Sequence, residues 1–212
     1  MPMKKPRPAT FCPYLPAGAI TADELVHLLD EMRAAGAKTV KLTGEMVFVW
    51  DVPDLPESVR ENGRWHANSF KASAVRPVRT CSAEVFCRRY QQPVVALAKK
   101  IDERFKDTPL PRKMMIGVAG CQRSCSEPAT KDIGIIGHPK GYELLAGGSA
   151  GLEPRIAKSL GIVSTMDGVL EVIGRVIAFL ETRDEKARLG RIVEEAGVEE
   201  FKRMAGIASL LQ

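Results

Sequence analysis

Four of the five cysteines in this 212-residue chain fall into two close pairs, Cys81-x5-Cys87 and Cys121-x3-Cys125. Thiolates are soft ligands that suit iron–sulfur clusters and zinc, and a [4Fe–4S] cube is held by a full set of them. Structural zinc sites favour knuckles of about two to four intervening residues, matched by a second knuckle or by histidines. The five-residue gap lies outside that habit, and none of His27, His66 and His138 lies near either pair. The spacing therefore favours one cluster clamped between two short loops, with zinc as the alternative. The three histidines read as structural or solvated. Cys12, in Phe11-Cys12-Pro13, is left over and reads as a half-buried structural thiol. Five cysteines are too few, and odd in number, for a disulfide framework.

The elements that must position these thiols belong to an ordinary globular composition, 45% hydrophobic and 27% charged. A net charge of +5 favours anionic partners. Nucleic acid is not expected, because the basic residues form no single stripe and only 6% of residues are aromatic. A zinc-binding nucleic-acid module would rest on charge and cysteine count alone. The basic, proline-rich run 1–8 is followed by no apolar segment, so a secretory leader is not expected. The apolar stretch 169–180 is interrupted by Glu171 and Arg175, so no membrane span is expected either. A cytoplasmic protein is the resulting expectation.

Thr21-Ala22-Asp23-Glu24 is a capping box, and Leu25, Leu28, Leu29 and Met32 continue it at helical spacing to a stop at Gly36. Runs 39–42 and 46–50 read as strands about a tight turn at Thr43-Gly44-Glu45. Helix, strand, strand is half of a ferredoxin-like α+β unit. A short helix over 54–63 and a hinge marked by Pro53, Pro56 and Gly63 follow. Beyond lie a strand over 75–78, an amphipathic helix over 92–105 and a β-run over 113–118 that delivers Cys121. A strand pair over 132–137 and 142–146 comes next, then a glycine loop over 147–151 and a helix opened by Pro154. Three helices, 166–181, 185–196 and 198–204, close the chain. Met114-Met115 reads as strand core or cofactor-facing packing.

The flanks of the cysteines carry a resemblance. Val75-Arg76-Pro77-Val78-Arg79-Thr80 precedes the first pair, and Pro111-Arg112-Lys113-Met114-Met115-Ile116-Gly117-Val118-Ala119-Gly120 leads into Cys121-Gln122-Arg123-Ser124-Cys125. With Glu127-Pro128, Asp132-Ile133-Gly134, Gly147-Gly148, Gly151, Pro154-Arg155 and Arg188-Leu189-Gly190, these resemble the sirohaem and [4Fe–4S] module of the sulfite and nitrite reductase family. The resemblance implies an α+β fold, with a ferredoxin-like half-domain over 1–65 and a sirohaem/[4Fe–4S] lobe with C-terminal helices over 66–212. It implies that Cys81, Cys87, Cys121 and Cys125 ligate the cluster, and that Cys125 also bridges to sirohaem iron. Sirohaem is rich in carboxylates, which makes Arg79, Arg123, Arg155 and the backbone at Gly148 candidates to hold it.

On the same resemblance Arg76 and Lys113 bind a small inorganic oxyanion, with Arg79 as the other register for the arginine. Met115 stands where the family carries a second lysine, and Glu45 where it carries an arginine. Common family members hold two copies of this unit, so a homodimer is expected, with Arg76 and Lys113 of one chain facing the partner's sirohaem. The sequence has no G-x-G-x-x-G fingerprint after a strand to name an electron donor, and an unidentified donor is expected as a partner. The expected function is reduction of sulfite or nitrite. The alternative is an electron-transfer or redox-sensing protein that keeps the cluster without the reductase activity.

Overall fold

A computed structural model describes residues 13–49, 51–52, 73–183 and 187–212. The chain divides into two compact units, 1–70 and 71–212. Cys12, Trp50, the helix expected over 54–63, its hinge residues and His66 lie outside the described residues.

In the first unit, α1 (Ala22–Ala34) starts at the expected box. Thr21 Oγ1 accepts the Glu24 N–H at 3.2 Å, and Glu24 Oε2 accepts the Thr21 N–H at 3.1 Å, so two of the helix's orphan donors are satisfied reciprocally. Gly36, at φ +91°, supplies the left-handed stop. Strands β1 (Val40–Leu42) and β2 (Val47–Val49) pair antiparallel, Val40 opposite Val49. The Thr43 hydroxyl closes their turn, donating to the Met46 carbonyl at 2.8 Å and accepting its N–H at 3.0 Å. Leu28 and Met32 bury against Leu15, Val47, Val49 and Val52.

The second unit is built on a five-stranded sheet in chain order: β3 (Arg79–Thr80), β4 (Ile116–Ala119), β5 (Ile133–His138), β6 (Gly141–Ala146) and β7 (Lys158–Val163). The first three strands are parallel and the last two antiparallel. Parallel neighbours need a long crossover, and α2 (Ala83–Phe86) with α3 (Val94–Phe105) supplies it between β3 and β4. Helix α3 lies against β3 and β4, and α4 (Met166–Glu181) against β6 and β7. Leu97, Ile101, Ile116, Ile133, Ile135, Leu144 and Ile173 are fully buried, each burial stabilising by about 1.5–3 kcal/mol. On the other face, Gly117 and Gly134 leave room for the turn at Pro128–Thr130; a Cβ at either would meet Lys131 or Pro128 at 2.7 and 2.5 Å. Helices α5 (Leu189–Ala196) and α6 (Val198–Met204) close the chain.

The observed α+β class, the half-unit helix and strands, and α3, α4 and α6 follow the expectations. The 75–78 segment does not: it makes only an isolated bridge, Val75 to Met114, and pairing as a strand begins at Arg79. No helix opens at Pro154. Arg155 pairs backbone-to-backbone with Ser149 at 2.8 and 2.9 Å, and Lys158–Val163 adds a strand to β6. Proline marks a helix start only when a 3.6-residue apolar period follows. Lys-Ser-Leu-Gly-Ile-Val has none, and its Gly161, at φ +130°, meets a register shift at Leu144/Leu145. Helix α5 begins at Leu189 rather than 185, and residues 184–186 are outside those described. No helix among the described residues is long and apolar enough to cross a membrane.

Candidate iron–sulfur site

Two neighbouring parallel strands end side by side, and each runs into one cysteine pair. Thr80 lies opposite Val118, so Cys81 and Gly120-Cys121 leave the sheet at the same end. The Cys81 N–H donates to the Val118 carbonyl at 3.3 Å, and the Gly120 N–H donates to Cys81 Sγ at 3.2 Å. The Gly120 carbonyl in turn accepts the N–H groups of Gln91 and Gln92 at 2.7 and 3.2 Å. Gly120 is thus the point at which the first loop is stitched to the second. A Cβ there would stand 2.8 Å from the Ala83 Cβ and 3.1 Å from the Tyr90 Cβ. Gly137, on β5, presses from the other side, where a Cβ would meet the Gly120 carbonyl oxygen at 2.3 Å. Glycine is needed at 120 because the Ala83 and Tyr90 side chains already fill the space that a Cβ would take.

Within the first loop, Cys87 closes α2 through its N–H to the Ala83 carbonyl at 2.7 Å, and its Sγ accepts the Arg89 N–H at 3.4 Å. In the second, Ser124 and Glu127 take left-handed φ of +53° and +54° on either side of Cys125. Such conformations cost free energy in non-glycine residues and persist where surrounding structure enforces them. Ser126 Oγ, donating to the Val118 carbonyl at 2.6 Å, ties this loop back to β4. Cys81, Cys87 and Cys121 are half-buried and Cys125 is exposed. Among the described residues no group of three or more Cys, His, Asp or Glu side chains is gathered to hold a metal ion, so the thiols share one strand end without forming a closed ligand set. The donor chemistry fits a cluster: soft thiols on two loops, with backbone N–H groups directed at two of the sulfurs.

The other expected site residues divide between the two ends of the sheet. Arg79 lies two residues before Cys81, and Arg123 is exposed between Cys121 and Cys125. Arg76 and Lys113 lie at the opposite ends, five residues before Cys81 and eight before Cys121, on the segments that lead into β3 and β4. There the Arg76 N–H donates to the Met114 carbonyl at 2.9 Å; Arg76 is buried and Lys113 exposed. Gly148 and Arg155 are at that far end too, since Asp132, which leads into β5, binds Gly147. A Cβ at Gly148 would meet the Ala129 and Lys131 carbonyl oxygens at 2.4 and 2.6 Å, so close packing requires the glycine. Arg155 is held by Glu194 at 3.0 Å and Glu153 at 3.2 Å, beside a cleft of about 510 Å³ lined by Gly147, Lys158 and Gly190. The structure therefore brings the four cysteines, Arg79 and Arg123 to one strand end, and does not bring Arg76, Lys113, Gly148 or Arg155 to it.

Sequence reading missed the polar groups that hold these segments. Glu84, between Cys81 and Cys87, accepts three backbone N–H groups from the start of α3. Buried Asp102 accepts the Val78 N–H at 2.9 Å and fixes the approach to β3. Buried Asp132 accepts the Met115 N–H at 2.8 Å and pairs with Arg188 at 2.7 Å, and Arg188 also reaches Ser149 Oγ at 3.3 Å. Burial pushes the Asp132 carboxyl above its ordinary range, against the opposing pull of Arg188. Proline at the cap position of α3 was the available signal for Glu84, because that helix has no side-chain cap of its own. Of the expected structural histidines, His27 pairs with Glu31 at 3.2 Å, and the His138 carbonyl accepts from Gln92 at 2.9 Å.

Residues 71–209 match a family model described as the nitrite and sulphite reductase 4Fe-4S domain. The chain is 31% identical over 198 residues to the NADH nitrite reductase large subunit of Escherichia coli, covering 90% of this chain and 23% of that protein. It is 25% identical over 193 residues to an assimilatory-type sulfite reductase of Nitratidesulfovibrio vulgaris, covering 90% of this chain and 88% of that one. The chain spans about a quarter or less of the NAD(P)H nitrite reductases it matches. Its fold is that of dissimilatory sulfite reductase I, with a TM-score of 0.79 at 15% identity, covering 93% of this chain and 68% of that one. NirA of Mycobacterium tuberculosis gives 0.75 at 20% identity, covering 92% and 39%. The family model matches well over half of the chain, including both cysteine loops, so the chain belongs to the nitrite and sulphite reductase 4Fe-4S domain family.

Proposed function

We propose that this chain is a small oxidoreductase that reduces sulfite or nitrite with a [4Fe–4S] cluster and sirohaem. The observation that carries the reading is the convergence of both cysteine loops on Gly120 inside the matched domain. Cys81, Cys87, Cys121 and Cys125 would hold the cluster, and Cys125, the exposed thiol, would be the one offered to sirohaem. When bound, the two groups supply the multi-electron transfer that such a reduction requires. The chain's own residues position, bind and protonate. Arg79 and Arg123, at the cysteine end, are assigned to the macrocycle's carboxylates. Arg76 and Lys113 bind the oxyanion and stabilise the charge that develops as an S–O or N–O bond breaks, and the Lys113 ammonium delivers a proton.

Because Arg76, Lys113, Gly148 and Arg155 lie at the far strand ends, they would serve a cofactor held by a second chain. A twofold pair rebuilds that arrangement from one gene product. The reading sets the protein in the cytoplasm, where thiols stay reduced, with a separate electron donor. A second reading, a cluster protein for electron transfer or redox sensing, is favoured by Glu45 and Met115, which remove two cations from the expected anion site. Anaerobic assay with a chemically reduced dye separates them. The first reading expects sulfite- or nitrite-dependent dye oxidation by a dimer; a reducible cluster without anion-dependent turnover establishes the second.

A further inference from the structure

We propose that Glu84 is a positioning residue that locks the first cysteine loop to the start of α3, and so sets where Cys81 and Cys87 present their thiols. The inference rests on the cluster reading for its purpose, but not for its geometry. Glu84 Oε2 accepts the N–H groups of Val94 and Val95 at 2.9 and 3.2 Å, and Oε1 accepts that of Ala96 at 2.9 Å. These are orphan donors of the first helical turn, which every α-helix must satisfy from outside its own ladder. Helix α3 has Pro93 at its cap position, with no side-chain acceptor, and no acidic residue in its first turn. The acceptor therefore comes from another element, ten residues earlier in the chain and midway between two cysteines. A carboxylate at a helix N-terminus also meets the positive end of the helix dipole, which strengthens the contact.

The tie works on the loop as much as on the helix. Helix α2 is a single turn of four residues with no side-chain cap, and its Val85 and Phe86 are exposed, 72% and 86%. A segment with so little apolar burial has few other means of holding its shape. Besides buried Ala83 and the backbone bonds of Cys81, Gln91 and Gln92 to the β4 segment, the Cys87 N–H to the Ala83 carbonyl and the Gly120 N–H to Cys81 Sγ, the loop is held by the three hydrogen bonds that Glu84 accepts. Loss of Glu84 would free the loop between its two cysteines while leaving β3, β4 and the second loop in place.

The test separates helix capping from loop positioning. Glu84→Ala removes both, Glu84→Gln keeps one acceptor oxygen, and the double variant Glu84→Ala/Pro93→Asp gives α3 its own cap without restoring the tie. In the full chain, reduced and free of iron, alkylation of Cys81 and Cys87 followed by mass spectrometry should accelerate about tenfold in Glu84→Ala, and less in Glu84→Gln. The double variant should recover the melting temperature yet keep the fast alkylation. Unchanged alkylation in Glu84→Ala, or wild-type alkylation restored by Pro93→Asp, overturns the proposal. Anaerobic reconstitution with iron and sulfide is the second arm, with cluster loss to a chelator expected to be about tenfold faster in the double variant. If the wild-type chain takes up no cluster while the alkylation pattern holds, the proposed function fails and the positioning role stands.

Discussion

Gly120→Ala is the substitution whose effect follows most directly from the geometry. The added methyl would lie 2.8 Å from the Ala83 Cβ and 3.1 Å from the Tyr90 Cβ, where carbon atoms prefer about 3.5–4.0 Å. Gly120 has no left-handed φ, so the whole effect is steric. Relief requires the segment carrying Ala83 and Tyr90, which includes Cys87, to retreat by several tenths of an ångström to about 1 Å. Overpacking of this kind costs about 1–3 kcal/mol, equivalent to a melting temperature lowered by roughly 3–10 °C in a unit of this size. The same retreat stretches the Gly120 N–H bond to Cys81 Sγ and separates the two cysteine loops. A scan of the iron-free protein should show the lower melting temperature, and iron and sulfide analysis after anaerobic reconstitution should show less than half of the wild-type cluster. Gly44→Ala is the control, since nothing lies within 4 Å of its would-be Cβ. Wild-type cluster content and stability in Gly120→Ala would refute the claim that the two loops are held in register by that contact.

Serine in place of Cys81, Cys87, Cys121 or Cys125 should each abolish a stable cluster, whereas Cys12→Ser should leave iron content unchanged. Loss of iron in Cys12→Ser, or full retention in any of the four, would count against the ligand set. Arg188→Ala should destabilise the second unit by about 2–3 kcal/mol, below the cost of breaking a fully buried pair because Arg188 is one-third exposed. The sign of its pH dependence follows from Asp132, whose native pKa already lies above its unfolded value. The stability that this carboxyl contributes is fullest below about pH 4 and declines as pH rises through the native value. Without Arg188 the native pKa rises further, so the deficit measured by urea unfolding should be larger at pH 7 than at pH 4. A pH-independent deficit would show that the ion pair is not its cause.

The sequence carried the elements that repeat a period or a cap. The capping box at Thr21, the amphipathic α3, the apolar α4 and the buried hairpin of β5 and β6 all declare themselves through local pattern. Strand β7 did not, because Pro154 is an ambiguous sign and Gly161 breaks the alternation that would have marked a strand. The cysteines announce their chemistry through spacing, but spacing is silent on what seats them. Gly120 reveals its role only against Ala83 and Tyr90 of the first cysteine loop, and Gly137 only against the Gly120 carbonyl, since contacts between distant segments leave no local trace. Glu84, Asp102 and Asp132 are ordinary carboxylates in sequence; their partners lie 10 to 56 residues away. Nor does any local signal say that Arg76 and Lys113 stand at the opposite strand ends from the cysteines. That follows from the parallel register, and it is what makes a paired chain part of the functional reading.

In the proposed function both cysteine loops would hold one iron–sulfur cube beside a bound sirohaem. The visible spectrum of anaerobically purified protein, taken with its iron and sulfide content, tests it most directly. A Soret band with Q-type bands, and about four acid-labile sulfides per chain, are the expected result. A colourless preparation free of iron, or one that binds a single zinc through the same thiols, would contradict it.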